Sequence, residues 1–305
     1  MKLALIAGTG GLPPVLAAHL SAQGSAPVIC EMRGFPSEVV GDYARQPFRI
    51  ETLGSLLATL RALGVTHICM AGAVARPAVD PSVIDAATLP LVVRLQAAMA
   101  KGDDGTLREI VAIFEEQGFA VLGAHQVMPY LLPMQGVPTR ATPPDLTDAL
   151  AAARAALADM AIADLGQAVL VRDATVIARE DARGTAAMLH DFSVVAQKKP
   201  GTTHVLDDVL GVLDSAFGRV ADWLSGDDGP TPAKDAILFK APKPGQILQA
   251  DMPMIGPETA HQAAAAGLAG IVIEQGSVMV LDLAQVVDIL NAHGLFLWVC
   301  PKDLT

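Results

Sequence analysis

Helical apolar spacing that stops at a glycine, followed at once by a short β-branched or aromatic run, recurs along this chain. It appears as Ser55–Leu63, Gly64, then Val65–Met70, and again as Thr106–Gln117, Gly118, then Phe119–Leu122. Two later copies are Pro257–Ala266, Gly267, Leu268–Ile273 and Ala284–His293, Gly294, Leu295–Val299. The glycine suits the left-handed position that closes a helix, and the strand begins after it. Helices alternating with strands predict an α/β protein with mostly parallel strands.

The first half adds a strand at Leu3–Ala7, a glycine turn, a helix near Pro13–Gln23 and a strand at Pro27–Glu31. With the two later units this predicts a Rossmann-like open parallel sheet over residues 1–135, binding ligands at the carboxyl ends of its strands. Proline, threonine and aspartate cluster at 136–148, which reads as a linker. Residues 149–305 then form a second α/β domain, with the active site expected between the two. There the pattern predicts a helix over Leu146–Leu165 and a hairpin of Gln167–Arg172 and Thr175–Glu180 turning at Asp173-Ala174. It further predicts a helix over Val205–Leu224, a loop over Ser225–Lys234 and a strand at Ala236–Lys240.

Composition narrows the function classes. Of the 305 residues 52% are apolar but only 4% aromatic, which fits alanine-rich helices packed closely on sheets. The formal charge of -11 argues against a duplex nucleic-acid binder, which needs a basic surface. Three widely spaced cysteines (Cys30, Cys69, Cys300) suggest buried thiols in a reducing cytosol rather than disulfides or a zinc knuckle. Glycines and prolines break the apolar start at Gly8 to Pro14, so it reads as a first strand and not a signal peptide. No stretch reads as a membrane span, and any lipid handled must be reached from the membrane surface.

Several places carry candidate chemistry. Gly8-Thr9-Gly10-Gly11 follows a strand and opens a helix, where backbone N–H groups favour an anion; a plain tight turn is the alternative. Pro13 stands where a dinucleotide fingerprint has its third glycine. Glu31 nevertheless ends the second strand, where a ribose-binding acid would sit, so a nicotinamide-dependent oxidoreductase stays open. Arg76, after the strand Val65–Met70, is a phosphate clamp or a solvated surface residue. Lys101-Gly102-Asp103-Asp104-Gly105 precedes a helix: one aspartate suits the N-cap, leaving the other for a ligand or metal. Gly184-Thr185 is a phosphate or ribose contact, or an ordinary strand-to-helix turn. In KAPKPGQILQADMPMIG, residues 240–256, Asp251 sits among apolar residues as a helix cap or as a metal-binding or base carboxylate. Lys240 and Lys243 beside it suit a diphosphate. The histidines lack HxH, HExxH or HxxH spacing and no GxSxG elbow occurs, which argues against zinc and serine hydrolases.

Taken in order, LALIAGTGGLP, HICMAGAVARP, KGDDGTLREI, EEQGFAVLGAHQVMPYLL, DLGQAVLVRDATVIARE, RGTAAM, KAPKPGQ, DMPMIGP and AAAAGLAGIVIE make the chain resemble the LpxI-type UDP-2,3-diacylglucosamine pyrophosphatases over nearly its whole length. The resemblance implies hydrolysis of UDP-2,3-diacylglucosamine to UMP and 2,3-diacylglucosamine 1-phosphate (lipid X) in lipid A synthesis. It implies a divalent cation, Mg²⁺ or another such as Mn²⁺, and a cytoplasmic homodimer in peripheral contact with the inner membrane. It makes Asp251 the essential carboxylate and metal ligand, with Lys240 and Lys243 as catalytic partners. Substrate contacts are implied at Gly10, Gly11, Arg76, Lys101, Asp104, Gln167, Gly184, Thr185, Gly245, Gln246 and Gly256. Asp164 and Gly166 match the family's strand entry. The RGTAAM stretch departs from the family: Arg183 stands for a glutamate and Ala186 for an aspartate. Residues 190–235 are longer than the family's connection. A non-catalytic nucleotide-sugar or lipid-binding protein diverged from that family is the alternative function.

Overall fold

The computed structural model describes residues 1–74, 78–100, 102–197 and 233–302. The expected helix over Val205–Leu224 and most of the expected loop Ser225–Lys234 lie outside the described residues, as do Arg76 and Lys101. The chain forms two compact units. One comprises residues 1–134, 242–256 and 274–283, and the other 135–241, 257–273 and 284–305. The division expected from sequence is contiguous; the units are not, because the chain returns twice to the first.

In the first unit, β1 (Leu3–Ala7), β2 (Val28–Met32), β3 (Arg45–Phe48), β4 (His67–Ala71) and β5 (Ala120–Leu122) form a parallel sheet ordered β3-β2-β1-β4-β5. Side chains alternate across a strand, so β1 feeds two cores. Leu3, Leu5 and Ala7 pack with Leu16 and Leu20 of α1 (Leu12–Ala22). Ala4 packs on the opposite face with Leu56, Leu57 and Leu60 of α2 (Leu53–Ala62). The same core takes Leu95 from α3 (Leu89–Met99) and Ile113 and Phe114 from α4 (Asp103–Glu116). Burial on both faces explains why β1 and β4 read as continuous apolar runs. A short helix, α5 (Ala124–Val127), follows β5.

Among the elements the sequence did not signal in this unit are β3 and α3. β3 carries Arg45, Gln46 and Pro47, a polar composition tolerated because it is an edge strand. α3 buries only Leu95 and Ala98 while Leu89 and Val93 stay exposed, so its apolar residues draw no stripe.

The second unit opens with α6 (Thr147–Ile162), which packs on β6 (Ala168–Arg172). Ala149, Ala153 and Ala156 lie buried on it, small side chains that let the helix approach the sheet closely. β7 (Thr175–Arg179), α7 (Thr185–Gln197), β8 (Ile237–Lys240), α8 (Pro257–Ala265), β10 (Gly270–Glu274), α9 (Leu283–His293) and β12 (Phe296–Cys300) complete it. The sheet order is β12-β10-β8-β6-β7, with β8 and β10 parallel and β6 antiparallel to both β7 and β8. The mostly parallel expectation therefore holds for the first sheet, while the second is mixed. Residues of the expected linker are hydrogen-bonded into this unit: Gly136 pairs with Val299, and Thr139 accepts from the Leu297 N–H at 2.9 Å. The predicted hairpin forms, with Asp173 at φ 54 in its turn. The four helix-closing glycines, Gly64, Gly118, Gly267 and Gly294, have φ of 72, 86, 74 and 72.

A two-stranded parallel sheet of β9 (Met254–Ile255) and β11 (Met279–Val280) belongs to the first unit. It is the local reason why 242–256 and 274–283 stay together there.

Candidate functional site

The strand order reverses direction at β1, whose neighbours are β2 and β4, and an open α/β sheet binds ligands outside the strand ends at such a point. Here the turn after β1 and the turn after β4 lock together. Gly8 N–H donates to Ala71 O at 2.8 Å, and Thr9 and Ala73 exchange backbone hydrogen bonds at 2.9 and 3.0 Å. The approach is close enough to demand glycine twice. A Cβ on Gly8 would lie 2.5 Å from Ala73 O, and one on Gly72, at φ +86, would lie 2.7 Å from Thr9 O. Gly8 and Thr9 thus spend their N–H groups inside the protein, and Gly10 and Gly11 follow them as exposed residues of the turn.

A cavity of about 870 Å³ opens at these strand ends, within the first unit. That is ordinary for a ligand pocket. Its walls are mainly apolar, with Met32, Phe48, Leu53, Leu95, Met99 and Ile110 among them. Its polar lining includes Thr9, Gly10, Gly11, Asp103 and Asp251. Gly10, Gly11 and Asp251, all singled out by sequence, therefore line one cavity.

The segment carrying Asp251 is held by a side-chain amide. Gln246 Nε2 donates to both Asp251 Oδ2 and Asp251 O at 2.7 Å, while its Oε1 accepts from the Lys243 N–H at 2.9 Å. Asp251 N–H donates to Ile247 O at 2.9 Å, closing the turn. Asp104 pins the same segment to α4: Oδ1 accepts from the Ile247 N–H at 3.0 Å and Oδ2 from Arg108 Nε at 2.8 Å. Arg108 also donates to the Gly245 carbonyl. Neither aspartate is the N-cap expected for this helix. Gly102, at φ 97, takes that place, and Asp103 and Asp104 fill the first turn, where the helix dipole favours acids. The geometry gives Asp104 an anchoring role and turns Asp103 to the cavity. Gly256 follows β9 beside Leu281.

The second unit groups the other sequence candidates. Lys240 ends β8 at only 7% exposure, and its Nζ donates to Thr185 Oγ1 at 2.7 Å. Thr185 Oγ1 donates to Glu180 Oε1 at 2.9 Å, and Glu180 Oε2 accepts from the Gln167 N–H at 2.7 Å. Lys240, Thr185 and Gln167 are thus joined through Glu180, which sequence reasoning passed over as the mere end of a strand. Gly184 sits at φ 88 and opens α7. Arg183 is spent on two exposed acids, Asp181 and Asp191, each at 2.9 Å. Ala186 faces solvent on α7.

Glu31 does not offer itself to a ribose. Its carboxylate accepts from Ser37 N–H and Oγ, at 3.2 and 2.6 Å, and from Arg45 at 3.0 Å. Burial alone would raise its pKa, but these hydrogen bonds outweigh burial and hold it below the ordinary value. The nicotinamide reading loses its acid.

No group of three or more His, Cys, Asp or Glu among the described residues forms a ready metal cage. Mg²⁺ that travels with a phosphate substrate usually binds one or two protein carboxylates together with phosphate oxygens and water. Asp251 and Asp103, hard oxygen donors on one cavity, fit such a cation.

Comparison with known proteins gives two family matches, the LpxI N-terminal domain over residues 2–131 and the LpxI C-terminal domain over residues 134–298. A curated relative from Caulobacter vibrioides, named UDP-2,3-diacylglucosamine pyrophosphatase LpxI, is 35% identical over 308 aligned positions, covering 99% of each chain.

Proposed function

Because the chain belongs to the LpxI family, we propose that it hydrolyses the pyrophosphate bond of UDP-2,3-diacylglucosamine, releasing UMP and 2,3-diacylglucosamine 1-phosphate for lipid A synthesis. The observation that carries this reading is Asp251, the carboxylate of an otherwise apolar segment, lining a mainly apolar cavity at the sheet's switch point. A substrate with two acyl chains and a diphosphate needs both characters, apolar walls and a charged rim.

In this reading water adds to one phosphorus, the bond to the bridging oxygen breaks, and the attacking water's proton goes to solvent. Asp251 would hold the divalent cation, which when bound would offset phosphate charge. Gln246 keeps the carboxylate in place, and Gly10 and Gly11 present the exposed end of the first turn to an anion. Lys243 offsets charge on the diphosphate, and Lys240 is proposed for the same task on the family resemblance. Such positioning and charge stabilisation is where phosphoryl-transfer catalysis mainly comes from. Arg76, Lys101, Gln167, Gly184, Thr185, Gly245 and Gly256 are proposed as substrate contacts on the family resemblance. On the same ground we read the protein as a cytoplasmic homodimer working at the inner membrane. Among the described residues no helix is long and apolar enough to cross a membrane.

The test is UMP release from UDP-2,3-diacylglucosamine with Mg²⁺ and with EDTA. Release that EDTA abolishes is the expected result. Substrate binding without release would favour the non-catalytic alternative and point first to Ala186.

A further inference from the structure

Glu180 is half-buried directly after β7, and both of its carboxylate oxygens are engaged: Oε2 by the Gln167 N–H and Oε1 by Thr185 Oγ1. Its seat is tight. Gly166, at φ +54, approaches so closely that a Cβ there would stand 2.4 Å from Glu180 O. The Glu180 N–H donates to Ala168 O at 2.9 Å, tying the backbone to the start of β6.

The chemistry of the three side chains fixes a direction. A lysine ammonium has donors only, whereas a hydroxyl has one proton and can also accept. Lys240 therefore donates to Thr185, and the Thr185 proton has to go elsewhere, to Glu180 Oε1. A carboxylate is the acceptor-only group that completes the order Lys240 to Thr185 to Glu180 while still accepting from Gln167. An amide at 180 would put an NH2 where one of these two oxygens stands, so in this geometry it cannot accept from both the Thr185 hydroxyl and the Gln167 N–H.

We propose that Glu180 is a positioning residue: acting through Thr185, it fixes the direction in which Lys240 presents its ammonium at the end of β8. The proposal rests on the reading that Lys240 meets the diphosphate. Thr185 is then a relay as well as a proposed contact.

The experiment measures kcat, KM and thermal midpoint for Thr185→Val, Thr185→Ser, Glu180→Gln, the double variant Thr185→Val/Glu180→Gln, and Lys240→Met in the full chain. Valine keeps the branched volume and leaves the Glu180–Gln167 link intact. Losing the bond to a charged group predicts that kcat falls about 10- to 100-fold in Thr185→Val, beside a fall of a few degrees in the thermal midpoint that leaves the protein folded at the assay temperature. Thr185→Ser restores most of the loss. Glu180→Gln loses a similar factor, and the double variant loses no more than the worse single one, because one chain of bonds is broken either way. Wild-type kcat in Thr185→Val, or losses that multiply in the double variant, overturns the proposal. If Lys240→Met abolishes turnover while the relay variants do not, the relay alone falls. If Lys240→Met turns over normally, or the wild-type chain releases no UMP, the underlying reading falls and takes the relay with it.

Discussion

Replacing Gln246 separates the stability of the 243–251 turn from the use made of Asp251. Gln246→Ala removes three hydrogen bonds at once: two to main-chain groups of Lys243 and Asp251, and one to the Asp251 carboxylate at 2.7 Å. The main-chain bonds are neutral and contribute about 1 kcal/mol each to stability. For a protein of this size that lowers the thermal midpoint by several degrees. The bond to the carboxylate is charge-assisted, at about 1.5–3 kcal/mol. If the reaction needs Asp251 Oδ2 where Gln246 holds it, that energy is lost from the transition state, a fall in kcat/KM of about 10- to 150-fold.

Gln246→Glu sharpens the test. It keeps the acceptor for the Lys243 N–H but sets a second carboxylate oxygen where a donor stood 2.7 Å from Asp251 Oδ2. Like charges at that range repel, so turnover falls below that of Gln246→Ala near neutral pH. The assay is UMP release, read beside thermal midpoints so that unfolding is scored separately. A Gln246→Ala enzyme within twofold of wild type would refute the positioning role, whatever its stability.

Three further outcomes follow from the geometry. Glu51, buried and hydrogen-bonded first by Arg49 and then by the Asp80 N–H, has its carboxyl pulled down from 4.5 to about 2. Its stabilisation, about 3 kcal/mol at most, is fully present above the unfolded value near 4.5 and is lost as pH falls towards 2. The gap in thermal midpoint between wild type and Glu51→Gln therefore narrows from pH 7 to about pH 3, and a constant gap would contradict it. Burial pushes the Cys30 and Cys69 thiols up to about 12, with the Glu31 charge adding to the effect at Cys30. Both stay unreactive toward a disulfide reagent at neutral pH until denaturant is added, so rapid labelling of the native protein would refute that burial. Gly72→Ala sets a Cβ 2.7 Å from Thr9 O at φ +86, and it destabilises the protein by about 2 kcal/mol or more in denaturant unfolding.

Legibility in the sequence followed how local each cause is. The helix–glycine–strand units were readable because a glycine at φ near +70 and the apolar run after it act within a few residues. The first sheet was readable because burial on both faces turns its inner strands into plain apolar runs. β3 and α3 were not readable, because an edge strand and a mostly exposed helix need no apolar pattern. The membership of 242–256 and 274–283 in the first unit was also hidden. Pairing of Met254–Ile255 with Met279–Val280 spans two dipeptides too short to carry periodicity.

The candidate site divides along the same line. Asp251 stood out because a charge in an apolar segment is a local anomaly, and so did the glycine turn after β1. Asp104 and Glu180 did not declare their partners, because those lie 143 and 13 residues away, at Ile247 and Gln167. Two adjacent aspartates look interchangeable in sequence. One helical step turns Asp103 to the cavity and leaves Asp104 on the loop, since successive helix positions point about 100° apart. Which acid faces the cavity is therefore decided by where α4 starts. Gly102 decides that by taking the N-cap at φ 97, a conformation that an aspartate would adopt only under strain.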